Sequence, residues 1–380
     1  MTESKEAVLR IANLSDGQRV TLLLKSLGLK IATEPEAVRR RWEGLWKNNP
    51  ALAMDRPSPP LGWVLEADEE IVGFFGSIPI RYRFGDRELL VGVGTAWAVL
   101  KPFRRQTGEL SGAYFDQTEV DLLMGTTGIP ASGRIYLSNS GSALPHPDWD
   151  RVPHWVLDET AFMRAALRKG KVPSGVASVG AAVLSPFLSA AVAVGRRRPG
   201  RLHAGIEPES IAIENVGDEF DDLWRRKLAE GHRLYAGRAS EDIRWHFEPR
   251  DGARAVTMLC GRRDGRLEGY LVWERKENYL ISGLTGARIV DMLVASNDER
   301  VIDALVAAAY ESAREQGCHV LEMKGFPREI RSQVEGSRVF SKKLTPNSFC
   351  FRAQSSELHS ALQHEDTWYP TLYDGDGSLD

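Results

Sequence analysis

The spacing of apolar residues divides the chain into segments typical of helices and segments typical of strands. Apolar side chains recur every fourth residue between Pro35 and Trp46, which predicts a helix. The first half then continues with a hairpin that has an acidic turn, two strands, a second helix and a further strand. These elements are predicted at residues 63–76, 78–84, 89–99, 111–124 and near Thr126.

The same order of elements returns in the second half of the chain. Helix, hairpin, strand, helix and strand are predicted at residues 219–229, 255–273, 288–295, 299–316 and 319–323. A repeat of this length indicates duplication of a whole domain, because solenoid repeats are far shorter. The fold class expected is therefore α/β, with two domains that each have a mixed, twisted sheet flanked by helices. We place the domains at residues 1–165 and 206–380, with a connector at 166–205.

The connector contains an uncharged stretch, Val172–Gly195, between basic clusters. Its length would suffice to span a bilayer, but Ala, Ser and Gly dominate it, and Pro173 and Pro186 interrupt it. We expect a linker that packs against protein and does not cross a membrane. The alternative is a peripheral contact in which the basic flanks bind the inner membrane face.

Composition narrows the class of protein. The chain of 380 residues is 42% hydrophobic and 27% charged, with a net charge of −3, as in soluble globular proteins. Lys and Arg are not in excess over Asp and Glu, so the composition gives no indication of nucleic-acid binding. The three cysteines form no pair with disulfide or zinc spacing, so no metal is expected. The first residues also lack the apolar core of a signal peptide, and we expect a cytoplasmic protein.

The junction after the strand at 89–99 carries the clearest chemical signal. Arg104, Arg105 and Gly108 lie in a short basic turn that leads into a helix. A helix N-terminus presents unpaired N–H groups and the positive end of the helix dipole, and a glycine lets the backbone approach an anion closely. This order of elements favours a phosphate-binding site.

The junction resembles the pyrophosphate-binding motif of the GNAT superfamily, the acetyl-CoA-dependent N-acyltransferases. In that motif a strand ends in Val-x-Pro, and Arg/Gln-x-x-Gly-x-Gly/Ala opens the helix; here Arg105 and Gly108 fit, while Leu110 replaces Gly or Ala. The resemblance implies two GNAT-like domains and acetyl-CoA, or another acyl-CoA, as the co-substrate. The implied cofactor-binding residues are Ala98, Val99, Leu100, Arg104, Arg105, Gln106, Thr107, Gly108, Glu109 and Leu110.

The corresponding junction in the second half, Val294–Arg300, has no glycine and carries Asp298 and Glu299. Carboxylates repel phosphate, so we expect the second half to be a degenerate copy that does not hold the cofactor.

The resemblance also implies a catalytic residue. GNAT domains often use a Tyr on the helix after the fifth strand to protonate the departing thiolate, and Tyr136 lies at about that position. The alternative is that Tyr136 is an ordinary amphipathic core residue. No general base stands out. Asp374 and Asp376 are candidates for binding a cationic amine or sugar hydroxyls, although the favoured interpretation of this tail is a solvated acidic end.

The resemblance implies an N-acyltransferase that moves an acyl group, with acetyl favoured, from acyl-CoA to a small amine. An amino sugar or a cell-envelope or polysaccharide precursor is one acceptor class. Two alternatives stay open: a Fem-type ligase that uses aminoacyl-tRNA, and a non-catalytic GNAT-like binding or scaffold protein.

Overall fold

The computed structural model describes residues 6–169, 202–250, 255–277, 283–336, 340–343 and 348–379. The uncharged stretch Val172–Gly195 lies outside the described residues, so its predicted role as a linker or a membrane-surface element stays a prediction. Each helix of the described part is too short or too polar to cross a lipid bilayer.

The first mixed sheet is built mainly from the N-terminal half. Its strands, in spatial order, are β1 (Val8–Ile11), β2 (Gly62–Ala67), β3 (Glu70–Phe84), β4 (Arg87–Val99), β5 (Leu122–Gly128), β15 (Ser348–Ala353) and β6 (Ser142–Ala143), and β9 (Leu234–Ala236) pairs with β3. All neighbours in this sheet are antiparallel except β4 and β5, which are parallel.

The second mixed sheet repeats this arrangement. Its strands, in spatial order, are β14 (Phe340–Lys343), β7 (Arg151–Val156), β13 (Val320–Met323), β12 (Gly286–Val294), β11 (Arg266–Lys276), β10 (Val256–Arg263) and β8 (Glu207–Ile211). Its parallel pair is β12 and β13, which correspond in order to β4 and β5.

Helices flank both sheets. They are α1 (Gly17–Ser26), α2 (Pro35–Trp42), α3 (Thr107–Asp116), α4 (Pro130–Ser138), α5 (Glu159–Lys169), α6 (Asp218–Leu228), α7 (Ser240–Phe247), α8 (Glu299–Glu315), α9 (Arg328–Gly336) and α10 (Ser356–Ala361). The predicted α/β class and the repeated order of elements are confirmed.

Each sheet takes strands from the other half of the chain. β7 precedes the predicted connector yet pairs with β13, whereas β9 and β15 follow it and pair with β3 and β5. The two halves are therefore joined by hydrogen-bonded strands as well as by the connector.

Two predicted elements were wrong in their bounds. The helix predicted over residues 111–124 ends at Asp116, and Leu122 already belongs to β5. The run Leu122–Met124 is fully buried because β5 lies inside the sheet between β4 and β15, and an apolar run buried on both faces fits a helix or a central strand equally well. In addition, the hairpin strand and the strand predicted at 78–84 form one long strand, β3.

Candidate acyl-transfer site

The candidate site begins where β4 and β5 stop pairing. Their parallel ladder covers only Val91–Val93 against Leu122–Met124. Beyond it, β4 contains a bulge opposite Phe75, and Ala96 in this bulge has a φ of 50°. Bulges of this kind bend a strand and re-aim its side chains. The two strands are left with a gap between their C-terminal ends, where ligands bind in many α/β proteins.

A cavity of about 240 Å³ fills this gap. Aromatic rings form one wall, where Phe75 and Trp97 stack with ring centres 4.8 Å apart. The indole N–H of Trp97 is buried and has no hydrogen-bond partner in the described part of the protein. The cavity therefore offers apolar surface, and its other lining includes Tyr136, Thr127 and Asp376.

Tyr136 lies on α4 and is 5% exposed. Its hydroxyl is 2.8 Å from the hydroxyl of Tyr114, which in turn lies 2.8 Å from the carbonyl oxygen of Gly92. Because a carbonyl can only accept, Tyr114 donates to it and accepts from Tyr136. Burial raises the pKa of Tyr136 well above its usual value, so this hydroxyl keeps its proton at neutral pH.

Gly125 on β5 fixes the position of the Tyr136 ring. A Cβ at this glycine would lie 2.9 Å from the ring, closer than side-chain carbons normally approach. The absence of a side chain at residue 125 therefore lets Tyr136 sit against the strand.

The basic turn forms a 3₁₀ helix, Lys101–Gln106, that leads directly into α3. Arg104 and Arg105 are exposed, and neither makes an ion pair within the described residues. Gly108 is exposed too, and a Cβ there would meet no atom within 4 Å. The turn thus presents two cations and an open backbone position, although the N–H of Thr107 is already donated to the carbonyl of Arg104.

The other predicted cofactor-binding residues have mixed surroundings. Gln106 exchanges two hydrogen bonds with the backbone of Ala7, at 3.0 and 2.8 Å, and so ties down the chain before β1. Leu110 is fully buried in the apolar core beneath the turn, so its side chain does not occupy the surface beside Arg105. Ala98 and Val99 end β4 after its bulge, Leu100 follows the strand, and Glu109 is exposed on α3.

The C-terminal tail (residues 366–379) is docked, and the favoured prediction of a solvated end was wrong. Tyr369 and Tyr373 are almost fully buried. Asp374 is 5% exposed and accepts hydrogen bonds from the Tyr82 hydroxyl at 3.0 Å and the Thr371 N–H at 2.8 Å. Burial raises the pKa of Asp374 to about 6. Aromatic residues in a terminal segment were the sequence signal for this docking.

The two aspartates predicted to bind substrate, Asp374 and Asp376, have different surroundings. Asp374 is hydrogen-bonded to protein groups at the wall of another cavity, and Arg238 lies 3.9 Å from it. Asp376 is half-buried in the lining of the first cavity, where it accepts hydrogen bonds from the hydroxyls of Thr127 at 2.8 Å and Thr126 at 3.3 Å. The structure therefore brings Asp376 and Tyr136 to one cavity.

The second half fills its corresponding gap with the tail. β12 and β13 pair only over Gly286–Ile289, and beyond this ladder the tail bonds to β12. The Tyr369 hydroxyl donates to Met292 O at 2.8 Å, and the Tyr373 N–H donates to Val290 O at 3.1 Å. Space that is open in the first half is thus occupied in the second.

Protein carboxylates also occupy the second strand-to-helix junction. Glu230 accepts the N–H of Ser296, and Asp298 accepts the N–H of Arg300 at 2.9 Å. Phosphate oxygens would have to displace these carboxylates, which agrees with the predicted degeneracy of this half.

Sequence reasoning missed several residues of the site. Phe75, Trp97 and Gly125 line or shape the cavity, but each belongs to a strand whose pattern indicated only burial. Tyr114 lies within the helix predicted at residues 111–124, where apolar spacing likewise indicates only burial. No group of three or more His, Cys, Asp or Glu residues that could hold a metal ion occurs within the described ranges.

Comparison with known proteins bears on the fold of the chain. No protein-family model and no curated protein matches the sequence. Solved structures do match: a GCN5-related N-acetyltransferase from Anabaena variabilis ATCC 29413 is 11% identical, with a TM-score of 0.56 over 92% of this chain and 73% of that one. A conserved Enterococcus faecalis V583 protein of unknown function, described as a probable N-acyltransferase, is 10% identical, with a TM-score of 0.57 over 91% and 72%.

Saccharomyces cerevisiae N-myristoyltransferase with bound myristoyl-CoA also matches, at 12% identity and a TM-score of 0.53, over 93% of this chain and 80% of that one. The chain therefore has the fold of the GNAT superfamily. These matches span both halves of the chain, so the likeness extends over the pair of sheets.

Proposed function

We propose that this protein is an N-acyltransferase that transfers an acyl group from acyl-CoA to an amine. The observation that carries the proposal is the open gap between β4 and β5, which has Tyr136 and Asp376 in its lining. The GNAT fold of the chain supports it, as does the contrast with the second gap, which the tail fills.

The residues present fit acyl-CoA. Arg104 and Arg105 lie exposed at the turn that follows β4, where they would bind phosphate groups, and Gly108 leaves the backbone accessible. The co-substrate itself supplies a thioester that is already activated for acyl transfer. We propose acetyl as the acyl group, because a cavity of about 240 Å³ is smaller than the roughly 300–1,000 Å³ of typical ligand pockets.

Two residues would handle protons. Tyr136 keeps its hydroxyl proton at neutral pH and would give it to the departing thiolate, while Tyr114 holds that hydroxyl in place until then. The Asp376 carboxylate would bind the acceptor amine and take up a proton from it. The hydroxyls of Thr126 and Thr127 orient this carboxylate.

The test is to measure acetyl-CoA binding by calorimetry and acetyl transfer to a panel of small amines. We expect micromolar binding, and Tyr136→Phe should lower turnover by about tenfold to a thousandfold without changing acetyl-CoA affinity. Tyr235→Phe is the matched control, since Tyr235 is buried on β9, away from the cavity lining. Absence of acetyl-CoA binding would contradict the proposal and favour the aminoacyl-tRNA-dependent or non-catalytic alternatives.

A further inference from the structure

A second cavity, of about 200 Å³, lies beside the first cavity. Thr127 lines both cavities, Asp376 lines the first and the next residue, Gly377, lines the second. The second cavity lies against both sheets, because Thr126 of β5, Arg288 of β12 and Glu322 of β13 contribute to its walls. Thr127 and Asp376, which are hydrogen-bonded to each other at 2.8 Å, therefore lie where the two cavities meet.

The walls of this cavity carry several charges, and most of them are paired. Arg288 donates to Glu274, and Glu322 forms an ion pair with Lys342. Asp374 accepts from Tyr82 and Thr371, as described above.

Lys324 differs from these groups. Within the described residues its ammonium group has no ion pair or hydrogen bond, and it lies 5.4 Å from the centre of the Trp149 ring. The nearby carboxylate of Asp150 pairs with Lys343 at 3.7 Å. Burial and the nearby positive charge of Arg288 lower the pKa of Lys324, and the charge of Asp150 opposes them.

Trp149 adds a second unused donor. It is 7% exposed, and its buried indole N–H has no hydrogen-bond partner in the described part of the chain. Buried polar groups are normally paired, and within the described residues the ammonium group of Lys324 has only the face of the Trp149 ring as a partner. A carboxylate would supply the ion-pair partner that Lys324 lacks there.

We propose that this cavity, which we call the Lys324 subsite, binds the carboxylate of the acceptor, and that the acceptor is a small amino acid with its amine directed toward Asp376. This inference rests on the proposed function, because it assigns the acceptor class of the same site. Shared lining at Thr127 and the adjacency of Asp376 and Gly377 place the two ends of the acceptor a short carbon chain apart. The subsite would also distinguish amino acids from amines that lack an acidic group, because those amines would leave Lys324 without an ion-pair partner.

The experiment compares γ-aminobutyrate, its shorter and longer ω-amino acid homologues, and the primary amide of each. Acetylation from acetyl-CoA should favour the acid over its amide by about tenfold to a hundredfold in kcat/KM, as expected for a hydrogen bond to a charged group. In Lys324→Met this preference should fall to about one, because the acids lose the partner of their carboxylate. Lys343→Met, which removes a lysine that is 77% exposed, should keep the preference.

Direct binding separates failure of the subsite from failure of the proposed function. Calorimetric titration with the same acids needs no turnover. Binding that Lys324→Met abolishes would support the subsite even if acetyl-CoA did not bind. Equal binding and turnover of acids and amides would overturn it, as would an acid preference that survives in Lys324→Met. A stronger preference for aminopropylphosphonate than for the amino acids would indicate that the subsite binds a phosphate-type group and not a carboxylate. That result would also count against the proposal.

Discussion

Gly375 allows the most direct test of how the tail supports the site. Its φ is +87°, a conformation that side chains other than glycine adopt with difficulty. A Cβ at this position would lie 2.0 Å from Oγ1 and 2.7 Å from Cβ of Thr126 on β5. Rotation of the Thr126 side chain cannot relieve the second contact, so Gly375→Ala must move the tail away from the strand.

The magnitude follows from two costs. A left-handed conformation costs a residue with a side chain roughly 1–2 kcal/mol, and forcing extra volume into a packed site costs typically about 1–3 kcal/mol. Gly265→Ala isolates the first cost, because Gly265 has a φ of +76° and a Cβ added there would meet no atom within 4 Å. We therefore expect Gly375→Ala to lose about 2–5 kcal/mol of unfolding free energy and Gly265→Ala about 1–2 kcal/mol.

Urea denaturation of the two variants, together with acetyl-transfer assays on the folded protein, measures both effects. Turnover should fall in Gly375→Ala, because Asp376 follows the displaced residue, and stay near the wild-type rate in Gly265→Ala. Equal losses of stability and unchanged turnover in both variants would refute the idea that the tail is fixed by close contact with Thr126.

Three further predictions concern the cofactor, the acid and a buried histidine. Arg105→Glu should weaken acetyl-CoA binding by roughly 1.5–3 kcal/mol in calorimetry, whereas Arg300→Glu, at the corresponding junction of the second half, should leave it unchanged; equal effects would contradict the assignment to the first half. Gly125→Ala should displace the Tyr136 ring and lower kcat more than acetyl-CoA affinity, and an unchanged kcat would count against Tyr136 as the acid. Burial lowers the pKa of His146, whose ring donates to Phe326 O at 2.8 Å, so its contribution to stability is present above pH 6.5 and is lost as the pH falls below it. In His146→Gln the dependence of unfolding free energy on pH should shrink by up to about 1.4 kcal/mol per pH unit in that range, and an unchanged slope in urea titrations would exclude this role.

The order of elements could be predicted from the sequence because it depends on local spacing of apolar residues. The helix α8 and the hairpin of β10 and β11 are typical cases. The helix has a clear period and ends just before Gly317, and the two strands of the hairpin are joined by a turn that contains Gly265. The exchange of strands could not be predicted, because β7 and β15 have ordinary strand patterns that do not specify a partner. The strand with which each of them pairs depends on contacts between residues far apart in sequence, such as Phe351 with Met124.

From the residues alone, the site was predictable where a charge or a glycine had no structural role in the pattern, whereas Tyr136 was named through the family resemblance. Arg104, Arg105 and Gly108 stood out for this reason, and they lie exposed at the turn as expected. Lys324 did not stand out, because a lysine at the end of a strand is usually solvated. Its position becomes informative only once the tail and both sheets enclose it.

The contrast between the two gaps explains why one chain keeps two similar sheets. A gap between parallel strands exposes backbone groups and apolar side chains, and it must be filled by a ligand or by protein. In the second half the tail fills it, and Arg238 and Asp291 form a buried ion pair, with Arg238 Nη2 2.9 Å from Asp291, below Tyr369 and Tyr373. Such a pair is costly to break, because each partner would be left charged and buried. The same tail then continues to Asp376 in the first gap, so the segment that fills the second gap also holds the carboxylate that we propose as the acceptor-binding group of the first.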